Sequence, residues 1–363
     1  MKVKAAVLRE LNQPLSIEDV EISEPAEDEV LVKTVACGVC HSDLHASRGA
    51  IGAERPSILG HEPAGIVLAV GARVRNVAPG DHVIACTSIH CGNCLQCMQG
   101  RPHLCVDRAA CQRPKGAPTR ISQGGQAIHQ FVDLAAFAEG MLLHHTAVVK
   151  IDADIPLDRA ALLGCAVTTG VGAALNTAQV APGSSVAVFG AGGIGTSIMQ
   201  GARIAGARRI IAVDINEAKL KNALKFGATD IVNSAKEDPV KKIRAIVRGG
   251  VDYAFEAVGV SKLLEQALYC TGPRGTAVLV GAIPPGENVS FNAGHFFLEK
   301  RVIGCMMGSN KFTIDAPRYL ELYRQGRLDL DSLVTRHEPL DNVGEAFRAM
   351  EAGEVTRTVL TFG

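Results

Sequence analysis

The chain has 363 residues, of which 47% are hydrophobic and 20% are charged, and its 37 Lys and Arg residues balance its 37 Asp and Glu residues. This length favours two domains, because a single hydrophobic core rarely grows beyond about 250–300 residues. The absence of net charge argues against nucleic acid or an anionic membrane as a partner.

The N-terminus and the cysteines bear on the cellular compartment. Residues 1–9 alternate charged and apolar side chains, which is typical of a first strand and not of a signal peptide. No apolar run approaches the roughly 18 residues of a membrane span. Without a secretory signal, the eleven cysteines favour reduced thiols and metal ligands over disulfides. We therefore expect a cytoplasmic protein.

Residues 1 to about 160 predict a β-rich, barrel-like domain. Short alternating stretches, such as residues 29–33 and 65–70, are separated there by Gly, Pro and Asp turns, and helical signals are scarce.

The pattern changes near Gly183, where strands begin to alternate with helices. An apolar strand at 184–189, a helix at 194–205 and a strand at 209–213 form one βαβ unit. The alternation then continues through further helices and strands. Helices are predicted at 217–226, 239–247 and 261–269, and strands at 230–232, 252–256, 276–280 and 302–305. Six strands in this order describe a doubly wound parallel sheet.

The last 55 or so residues break this rhythm. They predict helices at 315–325 and 343–351 and a closing strand at 357–362, which we interpret as a return to the first domain.

Scattered Cys and His residues are candidate ligands of a reactive metal site. Cys40, His61 and Cys165 would make a soft set of three zinc ligands that leaves a fourth position open. Their spacing in the sequence does not by itself indicate that they form one metal site. Each by itself is more typical of a packed core residue.

Four cysteines form a much more specific pattern, Cys91-x2-Cys94-x2-Cys97-x7-Cys105. This spacing fits a closed tetrahedral zinc site. A site closed by four thiolates has no position for a substrate, so its role would be structural. The remaining five cysteines belong to no predicted site, and buried packing is their expected role: Cys37, Cys86, Cys111, Cys270 and Cys305.

The segment from Gly190 to Gly195 matches the dinucleotide-binding pattern G-x-G-x-x-G. It directly follows an apolar strand and opens a helix, where glycines admit a pyrophosphate and the helix N-terminus favours its charge. Asp214 follows Gly195 by 19 residues, at the end of the second strand, where a carboxylate binds the ribose hydroxyls. Asp214 would repel a 2′-phosphate, and Ile215 and Asn216 offer no guanidinium to bind one. NAD is therefore favoured over NADP.

Taken together and in this order, these motifs resemble the zinc-dependent alcohol dehydrogenases of the medium-chain dehydrogenase/reductase superfamily. The motifs are Cys40-His-Ser-Asp43, Gly60-His-Glu62, the four-cysteine cluster, Gly164-Cys165 and the segment Gly190 to Gly195. The likeness spans the chain from Lys4 to Phe362, and it resembles the longer branch that holds class I, class III and aryl-alcohol dehydrogenases.

The resemblance implies an α/β fold with three segments. Residues 1–166 would form a GroES-like catalytic domain with both zinc sites, 167–306 a Rossmann NAD-binding domain, and 307–363 the return to the catalytic domain. The implied reaction is reversible, NAD-linked oxidation of primary, secondary or aromatic alcohols, by hydride transfer from a zinc-bound alkoxide.

The resemblance also assigns site residues. Cys40, His61 and Cys165 would bind the catalytic zinc and the four-cysteine cluster the structural zinc. Glu62 would lie near the catalytic zinc, and Asp43 would orient His61. Ser42 and His45 would relay the proton, since an imidazole takes up a proton near neutral pH. The expected NAD contacts are His41, Thr169, Gly190, Gly192, Gly193, Ile194, Gly195, Asp214, Lys219, Val280 and Arg357.

The sequence departs from well-studied relatives at three positions. His41 stands where relatives often carry an arginine, and Val260 stands where some relatives carry one. Both departures predict weaker cofactor binding and faster release. Thr87 stands where many relatives place an aromatic residue, which predicts a roomier pocket that accepts bulky or aromatic alcohols. The 31 residues between Cys105 and Phe137 resemble the longer, dimeric branch, so we expect a homodimer joined through the cofactor-domain sheets.

Two other classes of function stay open. One is a glutathione-dependent formaldehyde dehydrogenase, which shares both zinc sites. The other is a non-enzymatic, zinc-stabilised protein that retains a nucleotide-binding fold. A zinc-free quinone or enoyl reductase is disfavoured by the presence of Cys40, His61 and Cys165.

Overall fold

The computed structural model describes residues 1–363, which divide into two units. The first unit comprises Met1–Cys165, Lys311–Tyr323 and Leu330–Gly363, and the second comprises Ala166–Asn310 and Arg324–Asp329. The boundaries predicted from the sequence follow residues 166 and 306.

The N-terminal part of the first unit is mostly β-structure. Its strands are β1 (Lys2–Leu8), β2 (Ser16–Ile22), β3 (Glu29–Gly38), β4 (Ser57–Ile58), β5 (Glu62–Val70), β6 (His82–Ala85), β7 (Ile121–Gln123), β8 (Gln126–Ala127), β9 (His129–Gln130), β10 (Gly140–His144) and β11 (Val148–Ile151). Its α-helices are short: α1 (His41–Ser47), α2 (Leu95–Met98) and α3 (Leu157–Ala160).

The second unit alternates strands and helices. Its helices are α4 (Ala166–Gly172), α5 (Gly193–Ile204), α6 (Glu217–Ala223), α7 (Pro239–Ile246) and α8 (Ser261–Cys270). Its strands are β12 (Ser185–Phe189), β13 (Arg209–Asp214), β14 (Asp230–Asn233), β15 (Val251–Glu256), β16 (Thr271–Leu279) and β17 (Arg301–Gly304). A π-helical turn, Ala173–Thr177, follows α4.

The C-terminal elements complete the first unit. They are α9 (Phe312–Arg324), β18 (Val334–Pro339), α10 (Val343–Glu351) and β19 (Arg357–Thr361). Strand β19 pairs with β3, so the end of the chain lies in a sheet with a strand from its beginning.

Two sheets form the first unit. One has six strands in the order β8-β7-β2-β1-β4-β9, and the other has seven, in the order β11-β6-β5-β3-β19-β18 with β10 also on β3. Their shared core contains Phe137, which is fully buried and lies 6.2 Å from the Phe347 ring between ring centroids. The predicted β-rich domain is confirmed.

The sheet of the second unit is parallel, with the order β14-β13-β12-β15-β16-β17. Numbered within the unit, this is the doubly wound order 3-2-1-4-5-6, and it confirms the predicted fold. Every residue of β12 is buried, as expected for a strand covered by helices on both faces. Phe189, fully buried in β12, contributes about 2–3 kcal/mol through its burial.

The predicted helices and strands of the second unit and the C-terminal segment lie within a few residues of their predicted bounds. None of the helices α1 to α4 was predicted. Helix α4 is rich in Val, Thr and Gly, which are poor helix formers, but all its residues are buried. Packing therefore decides its conformation over intrinsic propensity.

No single helix of the chain is long and apolar enough to cross a membrane. One bent pair, Leu157–Gly164 with Ala166–Thr177, passes such a test on length and composition alone.

Candidate active site and metal centres

Four side chains of the first unit converge in its interior. Candidate ligand atoms of Cys40, His61, Glu62 and Cys165 all lie within 4.8 Å of one another, and all four residues are buried. The structure thus brings together residues that are far apart in sequence.

Neighbouring strands place these residues together. Strand β3 ends at Gly38, which lies opposite Glu62 in the antiparallel pair of β3 and β5. Cys40 follows the end of β3, and His61 directly precedes β5. Cys165 follows Gly164, where a Cβ atom would lie 2.7 Å from the Ala85 carbonyl oxygen and 3.0 Å from Glu62 Cα. Glycine at 164 therefore lets this segment approach the ends of β5 and β6.

Asp43 orients the ligand set from helix α1. It is fully buried, and its Oδ1 atom lies 2.9 Å from His61 Nδ1 and accepts a 2.9 Å hydrogen bond from the Gly60 N–H. Its Oδ2 atom accepts a 3.3 Å hydrogen bond from the Cys40 N–H. The bond to Nδ1 leaves His61 Nε2 available for a metal, which is the usual arrangement of a histidine ligand.

Glu62 forms a buried ion pair that sequence analysis did not predict. Arg357 Nη2 donates a 3.0 Å hydrogen bond to Glu62 Oε1, and its Nη1 donates a 2.9 Å hydrogen bond to the Val39 carbonyl. The Oε2 atom of Glu62 is buried without a hydrogen-bond partner. Burial raises the pKa of Glu62 to about 7, although the charge of Arg357 lowers it.

The two thiols of the set differ in acidity. A hydrogen bond from Cys165 holds the pKa of Cys40 well below its usual range, and the same bond raises the pKa of Cys165. A thiolate beside an imidazole is a soft donor set of the kind that zinc prefers.

These residues fit a zinc ion. Two sulfur atoms and one imidazole nitrogen converge, Asp43 fixes the imidazole, and the unpartnered Glu62 Oε2 atom leaves a buried oxygen nearby. Cys40, His61 and Cys165 would hold the ion, and a fourth position would remain for a substrate.

The predicted proton-relay residues lie on helix α1. Ser42 Oγ lies 3.8 Å from Cys40 Sγ. His45 stands three residues further on, so both side chains share one helix face. The His41 ring lies 6.3 Å from the His45 ring between centroids. The roles of Ser42, His45 and His41 stay predictions.

The four-cysteine cluster also assembles as predicted. Its sulfur atoms are 3.5 Å apart for Cys94 and Cys97, 3.6 Å for Cys91 and Cys105, and 3.9 Å for Cys94 and Cys105. A tetrahedral site with Zn–S bonds of about 2.3 Å requires sulfur separations of about 3.8 Å. Backbone hydrogen bonds from Cys97 and Val106 lower the pKa of Cys94 to about 6, which favours the thiolate. The cluster fits a closed zinc site.

The other cysteines include no disulfide. Cys37, Cys86, Cys111 and Cys270 are buried as expected, whereas Cys305 is only partly buried. Thr177 Oγ1 donates a 3.3 Å hydrogen bond to the Cys305 sulfur.

The glycine motif of the second unit forms the predicted strand–turn–helix. Gly192 caps helix α5, and a Cβ atom added there would meet nothing within 4 Å. A Cβ atom at Gly195 would lie 1.8 Å from the Gly190 carbonyl oxygen, so only glycine permits this packing. The open space at the N-terminus of α5 fits a pyrophosphate.

Asp214 stands at the end of β13, beside this turn. Its carboxylate oxygens accept hydrogen bonds of 2.8 Å from the Ala191 N–H and 2.9 Å from the Asn216 N–H. A carboxylate has further acceptor sites for ribose hydroxyls. Lys219 is the third residue of α6, and Asn216 is the N-cap of that helix.

The remaining predicted cofactor residues divide between the units. In the second unit, Thr169 Oγ1 lies 3.6 Å from Met307 Sδ, and the Val280 N–H donates a 2.9 Å hydrogen bond to the Glu256 carbonyl. In the first unit, Arg357 is engaged with Glu62. The cofactor roles of Thr169, Val280 and Arg357 stay predictions.

Phe131 is a further neighbour of the site that the sequence did not indicate. Its ring lies 5.9 Å from the His61 ring between centroids, edge to face. The two residues after it, Val132 and Asp133, have positive φ angles of 48° and 65°. Asp133 accepts hydrogen bonds from Arg108 (2.6 Å) and Gln112 (2.7 Å), which hold this turn. No local pattern marks this contact in the sequence.

Known families match both parts of the chain. Residues 26–153 match the alcohol dehydrogenase GroES-like domain, and residues 193–323 match the zinc-binding dehydrogenase domain. A solved alcohol dehydrogenase zinc-binding domain protein from Burkholderia ambifaria is 37% identical over 100% of this chain and 99% of its own, with a TM-score of 0.96.

The chain belongs to the zinc-dependent alcohol dehydrogenase family of the medium-chain dehydrogenase/reductase superfamily. It is therefore an oxidoreductase of the zinc-binding dehydrogenase type.

Two further members of the family compare over the full length of both chains. Benzyl alcohol dehydrogenase from Acinetobacter calcoaceticus is 32% identical over 100% of each chain, with a TM-score of 0.95. A zinc-binding dehydrogenase from Sinorhizobium meliloti, solved with bound NADP, is 29% identical over 100% of each chain, with a TM-score of 0.84.

Proposed function

We propose that this dehydrogenase catalyses the NAD-linked, reversible oxidation of alcohols, with one catalytic and one structural zinc per chain. The observation that carries the proposal is the buried convergence of Cys40, His61 and Cys165 with Asp43 behind the imidazole. A donor set of two thiols and one imidazole leaves a position for a substrate oxygen.

When bound, zinc would supply a Lewis acid and the dinucleotide a hydride acceptor. Cys40, His61 and Cys165 would hold the ion, while Asp43 fixes the orientation of His61. Ser42 Oγ accepts the alcohol proton while giving up its own hydroxyl proton, which the imidazole of His45 takes up and releases toward solvent. Burial of the ligand set excludes water from the reacting atoms.

The cofactor is proposed to be NAD, although a relative has been solved with NADP. Asp214 places a carboxylate at the end of β13, where the ribose hydroxyls of a dinucleotide lie in folds of this type. Ile215 and Asn216, which follow it, carry no positive charge for a 2′-phosphate.

Aromatic alcohols are the proposed substrate class. Thr87 is buried shortly after β6, at the position that many relatives fill with an aromatic side chain, and a relative 32% identical is a benzyl alcohol dehydrogenase. A smaller side chain at 87 leaves more room for an aromatic ring.

The test is an NAD- and NADP-coupled assay of benzyl alcohol, ethanol and S-hydroxymethylglutathione with the parent and the Thr87→Phe variant. We expect higher kcat/KM for benzyl alcohol than for ethanol, and a preference reduced by about tenfold in Thr87→Phe. An unchanged preference contradicts the pocket assignment. Efficient turnover of S-hydroxymethylglutathione instead of benzyl alcohol contradicts the substrate class.

A further inference from the structure

One buried carboxylate of the second unit has no part in the proposed chemistry. Glu256 is the last residue of β15 and is fully buried. An isolated buried carboxylate is costly, so its hydrogen bonds must compensate for the lost hydration.

Those hydrogen bonds come from the segment that follows β15. Glu256 Oε1 accepts from the N–H groups of Val258 (2.9 Å), Gly259 (2.8 Å) and Val260 (3.3 Å). Three donors on one oxygen fix the path of residues 257–260, which we call the crown loop. Val258 and Val260 are 49% and 42% exposed, so the carboxylate is hidden while the loop that it holds faces outward.

A second segment closes over the other carboxylate oxygen. Glu256 Oε2 is buried without a hydrogen-bond partner. A Cβ atom at Gly281 would lie 2.6 Å from Oε2 and 2.2 Å from the Gly259 nitrogen. The carboxylate, the crown loop and Gly281 therefore fit together with no space for one additional carbon atom.

The crown loop lies beside the glycine motif. Glu256 pairs in register with Phe189 of β12, and the Ala257 N–H donates a 2.9 Å hydrogen bond to the Phe189 carbonyl. A Cβ atom at Gly190 would lie 2.7 Å from Val258 Cγ2. Strands β12 and β15 flank the point where the strand order reverses, and ligands of such sheets bind in the crevice at this point.

We propose that Glu256 is a positioning residue for the dinucleotide, acting through the N–H groups of the crown loop to set the wall of the crevice opposite the glycine motif. This inference rests on the proposed binding of a dinucleotide at that motif. It assigns Glu256 no contact with the cofactor. Its effect is expected on cofactor affinity and not on hydride transfer.

The chemistry of the group agrees with this role. Burial raises the pKa of Glu256, and nearby backbone N–H groups, those of the crown loop and of Gly281, lower it. An apolar side chain of similar length would leave these backbone donors without their acceptor, and the loop would move to find others.

The test compares Glu256→Met, which removes the acceptor, with Glu256→Asp, which retains a carboxylate able to bond the next backbone N–H groups. Gly281→Ala is an independent variant that displaces the crown loop from its other side. Asp252→Asn is the matched control: Asp252 accepts the Ser185 N–H (2.7 Å) near the opposite end of the same strand. The chain has no Trp, so NADH fluorescence measures binding directly.

We expect Glu256→Met and Gly281→Ala to raise the Kd for NADH and the KM for NAD by about tenfold or more. The kcat at saturating NAD should fall by no more than about twofold, because hydride transfer is unaffected. Glu256→Asp should keep the parent affinity within about threefold. Asp252→Asn should leave the affinity unchanged, even where its melting temperature is lower.

Parent-like NADH affinity in Glu256→Met overturns the inference. If that variant does not fold, parent-like affinity in Gly281→Ala overturns it, as does an equal loss of affinity in Asp252→Asn. A parent protein that binds neither NADH nor NADPH contradicts the proposed function and removes the ligand of this inference. A parent that binds and turns over NAD while these variants do not differ from it overturns the inference alone.

Discussion

Asp43 shows how one buried carboxylate organises the metal set. It bonds the backbone N–H groups of Cys40 and Gly60 as well as the ring of His61. It therefore holds both the α1 and β5 sides of the site. Such outer partners fix the tautomer and the orientation of a histidine ligand.

His41 permits a test of cofactor affinity at a single side chain. It is exposed at the first position of α1, where relatives often have an arginine. We expect His41→Arg to lower the Kd for NAD about three- to tenfold, because a permanent guanidinium binds a pyrophosphate more strongly than a neutral imidazole. Isothermal titration at pH 8 measures this, and unchanged affinity would count against a phosphate contact at position 41.

His144 gives a pH dependence of stability. Burial, together with the charge of His145, lowers the pKa of His144 from its usual 6.5 to about 4. Between these pH values the unfolded chain binds more protons than the folded one, so this residue makes stability fall as the pH drops from 7 to 5.

Urea unfolding of the parent and His144→Gln at pH 7 and pH 5 measures that contribution. The parent should lose about 1 kcal/mol more than the variant, an amount discounted for the partial exposure of the ring. Equal losses in the two proteins would show that His144 titrates normally in the folded state. Comparison with the variant cancels the effect of acid on the zinc ligands.

The four-cysteine cluster is the part of the structure that the local sequence predicted best. Its ligands lie within 15 residues, from Cys91 to Cys105, so their spacing alone indicates the site. The catalytic set differs, because Cys40, His61 and Cys165 come from three separate segments. The ion pair of Arg357 with Glu62 joins residues 295 positions apart. Without the family resemblance, no local pattern would have joined these residues.

Helix α4 is likewise a secondary-structure element that the local sequence does not predict. Its Thr, Val and Gly residues give no helical signal, and its burial comes from packing. The amphipathic helix α10, in contrast, was predicted with its observed bounds, because its apolar residues follow the helical period.

Substitutions should distinguish the role of the structural zinc site from that of the catalytic zinc site. Cys97→Ser is expected to lower the melting temperature by about 10 °C with the loss of the structural zinc, while kcat at low temperature stays near that of the parent. Cys165→Ser is expected to lower kcat by about a thousandfold or more, while its melting temperature stays near that of the parent. Zinc analysis should find one ion fewer in each. A loss of activity before stability in Cys97→Ser would contradict the division of roles.

At the scale of the whole molecule, we propose a homodimer formed through β17. This strand is at the edge of its sheet and has one neighbour, β16. An exposed strand edge is a template for pairing with another chain. The adjoining segment carries Phe297, which is 90% exposed, and large exposed apolar side chains favour association.

Light scattering tests this assembly. We expect twice the chain mass of 38.1 kDa, and an increase of the dimer Kd by at least about tenfold in Phe297→Asp. Met98→Asp is the matched control, since Met98 is also an exposed apolar side chain (77%) but lies in the four-cysteine segment, residues 91–105. A monomeric parent, or equal weakening by both substitutions, contradicts dimerisation at this edge.

The proposed function is tested most directly by the rate of NAD-coupled benzyl alcohol oxidation by protein of measured zinc content. We predict two zinc ions per chain and steady NADH formation that is lost when Cys165→Ser removes one of them. Full zinc loading without oxidation of benzyl alcohol or any other alcohol, with either NAD or NADP, would contradict it.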